Sequence, residues 1–294
     1  MLSNLKGFLS FISFERGIML FMITMGATYL IADKISLPGA LYLGVLGFLG
    51  WSGVDAINNV CDVKLDVKSD PRRAQYTKNL GKLGPFISLT LFAIAMILGA
   101  LTGNQLVTVI VFIGILVGII YSVPPFRLRQ TIIKPIINLS VGAVPVLMVA
   151  AFFNVFSYEI LVLLTLIGVS TAVNSLWEDL ADYTSDVDAH ARTMLVVLGF
   201  KRGLYLTIAM GYCLVPLMIL VGILFQLTLL YFVVLTALIA YLSIRLIQNR
   251  HILMGSSNAD TKTMLKLGEM FAQDFVIIAL VHTTNLMVSG YLTY

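Results

Sequence analysis

Two clusters of acidic side chains, about 120 residues apart, have the spacing of a binding face on a helix. Residues three and four positions apart lie on one face of a helix, so each cluster forms a polar stripe. The stripes consist of Asn58, Asp62 and Asp66 and of Asp179, Asp182 and Asp186. Like charges at this spacing repel one another, so a cation must offset them. Mg²⁺ held by carboxylates together with substrate phosphates fits two such stripes that face a diphosphate.

A solvated helix end is the alternative interpretation of each stripe, because charged runs usually form solvated faces. For one isolated DxxxD sequence this alternative is favoured. Two stripes at the same face, each followed by basic residues, favour the metal-binding interpretation. An ion or proton pathway is weaker, because only Asp55, Asp274 and His282 lie deeper in apolar segments. We interpret Asp274 and His282 as polar groups in the interior of a helix bundle.

The segments that carry these stripes are strongly apolar. Of the 294 residues 59% are hydrophobic and 12% are charged, whereas soluble domains carry roughly a quarter charged residues. The mean hydropathy of +0.96 excludes a water-soluble enzyme. Apolar runs long enough to cross a bilayer predict nine spans, at about 17–32, 37–58, 84–102, 105–122, 132–152, 157–177, 203–225, 227–246 and 270–290. The sequence therefore predicts an all-α integral membrane protein, a bundle of about nine transmembrane helices with a central cavity.

The positions of the basic residues predict the orientation in the membrane. With a cytoplasmic N-terminus, 18 of the 19 Lys and Arg residues lie in or beside the cytoplasmic segments, and Lys34 alone lies opposite. Both acidic stripes then face the cytoplasm, and the C-terminus lies outside. The first apolar segment is expected to remain as a membrane anchor. The net charge of +4 reflects this asymmetry, so we expect membrane lipids as partners and no nucleic acid.

The domain organisation is expected to be simple. We expect one domain over residues 1–294, in two halves at about 1–130 and 131–294 that each carry one acidic motif. This arrangement is consistent with a weak internal duplication. The two cysteines, Cys61 and Cys213, have neither metal-binding nor redox spacing, so we assign them a structural role.

The first acidic motif resembles a signature of the UbiA superfamily of intramembrane prenyltransferases. The run Asn58-Asn59-Val-Cys-Asp62-Val-Lys-Leu-Asp66, followed by Pro71 and Arg73, is similar to NDxxDxxxD…PxRP. This chain departs from the pattern in that Asn59 replaces the usual Asp, Val67 stands where Arg is common, and Ala74 replaces the second Pro.

Two further elements carry the same resemblance in the same order along the chain. The run Tyr121-Ser-Val-Pro124-Pro125-Phe-Arg127-Leu-Arg129 is similar to YSxPPxRLK. The second stripe, with Arg192, Thr193, Leu195 and Gly199, resembles DxxDxxxD followed by RTLPxxLG, with Val187 and His190 as departures. Together the three motifs extend the resemblance over the whole chain.

The resemblance implies transfer of a polyprenyl group from its diphosphate to an aromatic or other lipid-precursor acceptor, in quinone or isoprenoid-lipid biosynthesis. It implies about two Mg²⁺ ions, replaceable by Mn²⁺, on Asp62, Asp66, Asp179, Asp182 and Asp186. Countercharge for the diphosphate would come from Arg72, Arg73, Lys78, Arg127 and Arg192. The catalytic set would be Asn58, Asp62, Asp66, Asp182, Asp186 and Tyr121.

Three alternatives stay open at this point. Tyr121 is equally explained as an interfacial aromatic side chain. A UbiA-type terpene cyclase would ionise the same donor without an external acceptor. A membrane transporter would use the acids as coupling sites. The sequence leaves the length of the prenyl chain and the acceptor undetermined.

Overall fold

Helices make up the fold in the computed structural model, which describes residues 2–32, 34, 37–254 and 261–293. The helices are α1 (Leu2–Phe11), α2 (Phe14–Ile31), α3 (Leu37–Asp62), α4 (Asp66–Ser69), α5 (Pro71–Leu80), α6 (Leu83–Leu101), α7 (Gln105–Ser122), α8 (Lys134–Phe153), α9 (Tyr158–Asp188), α10 (Met194–Leu198), α11 (Phe200–Leu224), α12 (Leu229–Gln248), α13 (Arg250–Met254) and α14 (Thr261–Leu292). A 3₁₀ turn, Leu128–Gln130, lies between α7 and α8.

Nine helices within the described ranges are long and apolar enough to cross a membrane, which confirms the predicted fold class. They are α2, α3, α6, α7, α8, α9, α11, α12 and residues Leu265–Leu292 of α14. Each overlaps one predicted span.

The largest differences from the predicted spans lie at the end of the bundle that carries the acids. Helix α3 continues to Asp62, and α9 continues without a break to Asp188. The prediction ended the apolar spans near residues 58 and 177, before most of the acids of the first motif and all those of the second. Hydropathy falls where the side chains become polar, but the backbone hydrogen bonds of a helix continue beyond the apolar segment.

The spans pack as a closed ring. Helix α2 packs against α3 and α14, α3 against α6, and α8 against both α7 and α9. Helix α14 also packs against α9, and this contact closes the ring. At the α8–α9 contact, a β-carbon at Gly142 would overlap Oγ1 of Thr171, so glycine permits the close approach of these two helices.

Several short helices at the acidic end of the bundle were not predicted, among them α1 and α5. Helix α1 packs against α5, where the rings of Phe11 and Tyr76 lie 6.5 Å apart. Helix α5 begins with Pro71 after the N-cap Asp70, whose Oδ1 accepts a hydrogen bond from the backbone N–H of Arg73 at 3.0 Å. This cap and the N-terminal proline explain why a helix begins here.

Candidate active site

A polar cavity opens between the ends of α2, α3, α8 and α9, where the two acidic motifs meet. Within the described residues its charged lining consists of four basic and four acidic side chains: Arg16, Arg73, Arg129, Lys134, Asp55, Asp66, Glu178 and Asp182. Asn58 and Tyr121 also line it. The structure therefore brings together five of the residues that the sequence analysis proposed for the site: Asn58, Asp66, Arg73, Tyr121 and Asp182.

Asp62, at the end of α3, is fully buried and is not part of the cavity lining. Its Oδ1 accepts a hydrogen bond from Nη2 of Arg127 at 2.6 Å, and its Oδ2 is paired with Arg129. Arg129 also donates to Oδ1 of Asn58 at 3.1 Å, and the hydroxyl of Ser122 donates to the same oxygen at 3.2 Å. Two arginines thus compensate the buried charge of Asp62.

Asp66 lies beyond a turn, on the separate short helix α4, and lines the polar cavity. Its Oδ2 accepts a hydrogen bond from Nη2 of Arg73 at 3.0 Å. Burial raises the pKa of Asp66; the positive charge of Arg73 opposes the rise, and the negative charge of Asp182 adds to it. Asp66 and Asp182, one from each motif, thus line the same cavity.

The second motif lies on one unbroken helix. Asp179 is buried and paired with the buried Lys134 of α8, and its Oδ2 has no hydrogen-bond partner. Asp182, one turn along, lines the polar cavity. Asp186 accepts a hydrogen bond from Oγ1 of Thr193 at 3.3 Å. Only Asp182 of this motif belongs to the cavity lining.

The acids fit a metal site that a substrate would complete. Over the described part of the chain, no group of three or more acidic, histidine or cysteine side chains lies close enough to hold a metal ion. However, Asp66 and Asp182 share one cavity, and Asp179 has a buried oxygen without a partner. Mg²⁺ is commonly held by one or two carboxylates plus substrate phosphates, so this donor set suits Mg²⁺ bound together with a phosphorylated ligand.

The predicted basic residues occupy three kinds of position. Arg73 lines the polar cavity, whereas Arg127 is bound to Asp62 and to the carbonyl of Cys61. Arg72 and Lys78 are exposed on α5. Arg192 is exposed, and its backbone N–H donates to the carbonyl of Gln130 at 2.9 Å. Of these five residues, only Arg73 is among the described residues that line the cavity.

Tyr121 lines the polar cavity at the end of α7. Its hydroxyl accepts a long hydrogen bond of 3.4 Å from Nδ2 of Asn138. The side chain therefore projects into the bundle, which favours a role in the site over that of an aromatic group at the membrane surface.

Sequence reasoning missed several residues of the site. Arg16 lies between Glu178 and Asp55, with Nη2 at 3.2 Å from Oε1 of Glu178 and Nη1 at 3.9 Å from Oδ1 of Asp55. Asp55 also accepts a hydrogen bond from the indole N–H of Trp51 at 2.9 Å. Arg16 and Lys134 were both counted with the basic residues at helix edges, which the orientation rule explains without a site. An arginine at the start of one span with acids near the ends of two others was the available signal.

An apolar cavity of about 250 Å³ adjoins the polar one. It extends between α2, α9, α11, α12 and α14 and is lined by side chains such as Leu20, Ile23, Leu235 and Phe275. The two cavities share a wall that consists of Arg16, Trp51, Thr171, Asn174 and Glu178. A ligand with a charged head and an apolar tail could therefore occupy both cavities at once.

Comparison with solved structures gives the same fold at low sequence identity. A digeranylgeranylglyceryl phosphate synthase has 18% identity and a TM-score of 0.63, with 98% of each chain covered. A UbiA homolog from Archaeoglobus fulgidus, bound to GPP and Mg²⁺, has 16% identity and a TM-score of 0.64 over 94% of this chain and 99% of that one. The apo structure of a UbiA homolog from Aeropyrum pernix K1 has 17% identity and a TM-score of 0.66 over 95% of this chain and 97% of that one.

Comparison with curated proteins gives no match. The model of the UbiA prenyltransferase family, however, matches residues 19–264, which include both acidic motifs and the connection between them. The chain therefore belongs to the UbiA prenyltransferase family.

Proposed function

We propose that this protein transfers a prenyl group from a prenyl diphosphate to an acceptor within the membrane, in a reaction that requires Mg²⁺. The observation that carries the proposal is the shared wall between a charged cavity and an apolar one. A prenyl diphosphate has this same division into a polyanionic head and a hydrocarbon tail.

The diphosphate would bind in the polar cavity, where Asp66 and Asp182 would hold Mg²⁺ together with the phosphate oxygens. Bound Mg²⁺ would neutralise the charge that develops on the leaving diphosphate. Arg73 would add a guanidinium that suits phosphate oxygens. Asp62, Asp179 and Asp186 remain proposed ligands, and for the first two this requires exchange of their present basic partners for metal.

The tail would bind in the apolar cavity. When the C–O bond at C1 of the donor breaks, both bonding electrons leave with the diphosphate, and an allylic cation remains. The apolar walls keep water from that cation. An electron pair from the acceptor then forms the new bond to C1, and the acceptor loses a proton. Asn58 and Tyr121, which line the polar cavity, would orient the acceptor.

The fold neighbours support the donor and metal assignments. The homolog from Archaeoglobus fulgidus binds GPP and Mg²⁺, and a second structure of that homolog binds DMAPP and Mg²⁺. Both ligands are prenyl diphosphates, and the homolog that binds them belongs to the same family as this chain. The acceptor is proposed more broadly, as an aromatic or other lipid precursor of quinone or isoprenoid-lipid biosynthesis.

A matrix of prenyl diphosphates against aromatic and glyceryl phosphate acceptors, with product masses measured in membranes containing the protein, tests this function. We expect an adduct for at least one pair, formed only with Mg²⁺ or Mn²⁺. Membranes with the Asp66→Asn and Asp182→Asn double variant are the matched control. A hydrocarbon or alcohol formed without any acceptor would instead indicate a cyclase. If no donor released diphosphate, both the prenyltransferase and the cyclase hypotheses would be contradicted, and the transporter hypothesis would remain.

The orientation and organisation are proposed from the charge pattern. We propose a multi-pass protein with a cytoplasmic N-terminus and active site, an outside C-terminus and one domain over residues 1–294. After replacement of Cys61 and Cys213, a cysteine at Lys78 should be labelled from the cytoplasmic side only, because 18 of the 19 basic residues lie in or beside segments on that side. Labelling from the other side would reverse the assignment.

A further inference from the structure

A third cavity, of about 550 Å³, lies between α9, α14 and the start of α5 at the acidic end of the bundle. Several exposed side chains belong to its lining, so the cavity is open to solvent: Ala181, Thr184, Glu269 and Gln273. Three side chains line this cavity as well as the polar and the apolar one: Arg16, Asn174 and Glu178. The three cavities therefore meet at these side chains.

The charges around the third cavity differ from those around the polar cavity. Among the described residues, its charged lining has two basic side chains, Arg16 and Arg73, and four acidic ones. Two of these acids, Asp70 and Glu269, line only this one of the three cavities. The polar cavity, by contrast, has equal numbers of basic and acidic side chains. Because an excess of negative charge repels anions, the third cavity is unsuited to an anionic ligand.

Glu178 has one carboxylate oxygen that is available to a ligand. Its Oε1 accepts a hydrogen bond from Nδ2 of Asn174 at 2.7 Å and lies 3.2 Å from Nη2 of Arg16. Neither contact involves Oε2, and 24% of the side chain is exposed. Arg16 also lies 3.9 Å from Asp55, so Arg16, Asp55 and Glu178 together carry a net charge of −1. The positive charge of Arg16 is thus already balanced by the protein.

The other two cavities are assigned to the donor by the proposed prenyl transfer. The diphosphate would bind in the polar cavity and the tail in the apolar cavity, which leaves the third cavity for the acceptor. An acceptor hydroxyl at the meeting point could donate a hydrogen bond to Glu178. An ionised carboxylate has no proton to donate, and the negative charge of Glu178 would repel it.

We propose that the acceptor binds in the third cavity, that it is a neutral molecule with a hydroxyl group, and that Glu178 determines this specificity. The inference rests on the proposed prenyl transfer and narrows only the class of acceptor. Specificity arises here from a repulsive contact with the wrong substrate as well as from a hydrogen bond to the right one.

The test uses pairs of acceptors that differ in charge. The pairs are hydroxybenzamide with hydroxybenzoate, dihydroxynaphthamide with dihydroxynaphthoate, and glycerol with glyceryl phosphate. The measurement is kcat/KM for each acceptor in purified protein, with Mg²⁺ and saturating geranyl or geranylgeranyl diphosphate. We expect the wild type to prefer the neutral member of every pair that it converts.

Glu178→Gln keeps the size of the side chain and removes its charge. We expect the ratio of neutral to charged acceptor to fall roughly tenfold, the effect of one unit charge on the order of 10 Å away at an effective dielectric constant of about 20. A general loss of activity cancels in this ratio. Glu269→Gln, at an exposed position of the same cavity, should lower the ratio about twofold, because solvent screens its charge. Glu159→Gln, at the opposite end of α9, is the control and should leave the ratio unchanged.

A wild type that prefers the charged member of a pair would overturn the proposal, and so would an unchanged ratio in Glu178→Gln. The melting temperature of each variant reports folding, and if Glu178→Gln does not fold, the ratio in Glu269→Gln decides. Absence of transfer to every acceptor in the wild type would contradict the proposed function itself. Transfer to charged acceptors alone would support the proposed function and contradict only this inference.

Discussion

The two acidic motifs have similar spacing in the sequence but different local structures. The first is interrupted after Asp62, and Asp66 lies on the separate helix α4. The second continues along α9 from Asp179 to Asp186 without interruption. The spacing of three or four residues predicted a helical stripe for both motifs, and the structure has a continuous stripe only for the second.

The basic partners of Asp62 and Asp179 differ in exposure and come from one short segment. Arg127 and Arg129, which pair with Asp62, have side chains 27% and 14% exposed. Lys134, which pairs with Asp179, is only 5% exposed. Residues 127–134 thus contact both motifs. The backbone carbonyl of Gln130 in this segment also accepts a hydrogen bond from the backbone N–H of Arg192. In each motif one acid is tied to this basic segment, while another, Asp66 or Asp182, lines the cavity.

The largest effect should follow from replacing Asp66 and Asp182, the two motif acids that line the polar cavity and are called the cavity acids below. We expect Asp66→Asn and Asp182→Asn each to lower prenyl transfer at least roughly a hundredfold, because the charge on the leaving diphosphate loses stabilisation. Glu159→Gln, at the opposite end of α9 from Asp182, is the matched control and should retain activity. The assay is initial rate in purified protein with the melting temperature checked. Wild-type rates in both variants would remove the cavity acids from the mechanism.

The buried pairs should differ in their effect on stability. Asp179→Asn leaves the buried Lys134 without its partner, and we expect a loss of about 3–5 kcal/mol in unfolding free energy. Asp62→Asn should cost less, because Arg127 and Arg129 are partly exposed and can regain water. Denaturation in detergent measures both. The double variant Asp179→Leu with Lys134→Met should recover much of the loss. A greater loss for Asp62→Asn would contradict this ranking.

Replacements of Arg73 should have a smaller effect on activity, and they separate the contribution of its charge from that of its geometry. We expect Arg73→Lys to lower kcat/KM for the donor about tenfold and Arg73→Ala further, because lysine keeps the charge but loses the fork that suits phosphate oxygens. The exposed Arg72 lies outside the cavity lining, so Arg72→Ala should have less effect. The kinetics of donor and acceptor are measured separately. A change confined to KM for the acceptor would move Arg73 into the acceptor site.

Asn59 should show the smallest effect. Its Nδ2 donates to the carbonyl of Phe11 at 2.7 Å and ties the end of α1 to α3. Asn59→Asp restores the residue common in the resembling motif but removes this donor, and we expect a loss of about 1–3 kcal/mol in stability. Asn79→Asp on the exposed face of α5 is the control. Equal melting temperatures for Asn59→Asp and the wild type would show that the hydrogen bond contributes nothing.

The spans were predictable because an apolar run of bilayer length has few alternatives, and α7 was predicted at its observed bounds. The ends of α3 and α9 and the short helices α1 and α5 were not, because polar helical residues resemble a loop when hydropathy alone is considered. That Asp66, Asp182 and Arg73 lie at one site could be predicted from the motifs and their spacing. Arg16 and Lys134 lie outside the motifs, and it is tertiary packing that brings them to acids on other helices.

The most direct test of the central claim measures release of inorganic diphosphate from geranylgeranyl diphosphate as Mg²⁺ is titrated. The measurement compares the wild type with Asp66→Asn and Asp182→Asn, in purified protein with a fixed acceptor. We predict that a chelator abolishes release by the wild type and that both variants require more Mg²⁺ and reach a lower maximal rate. Release that persists in chelator, or identical Mg²⁺ dependence in all three proteins, would contradict the claim that these two acids hold the metal and the diphosphate between them.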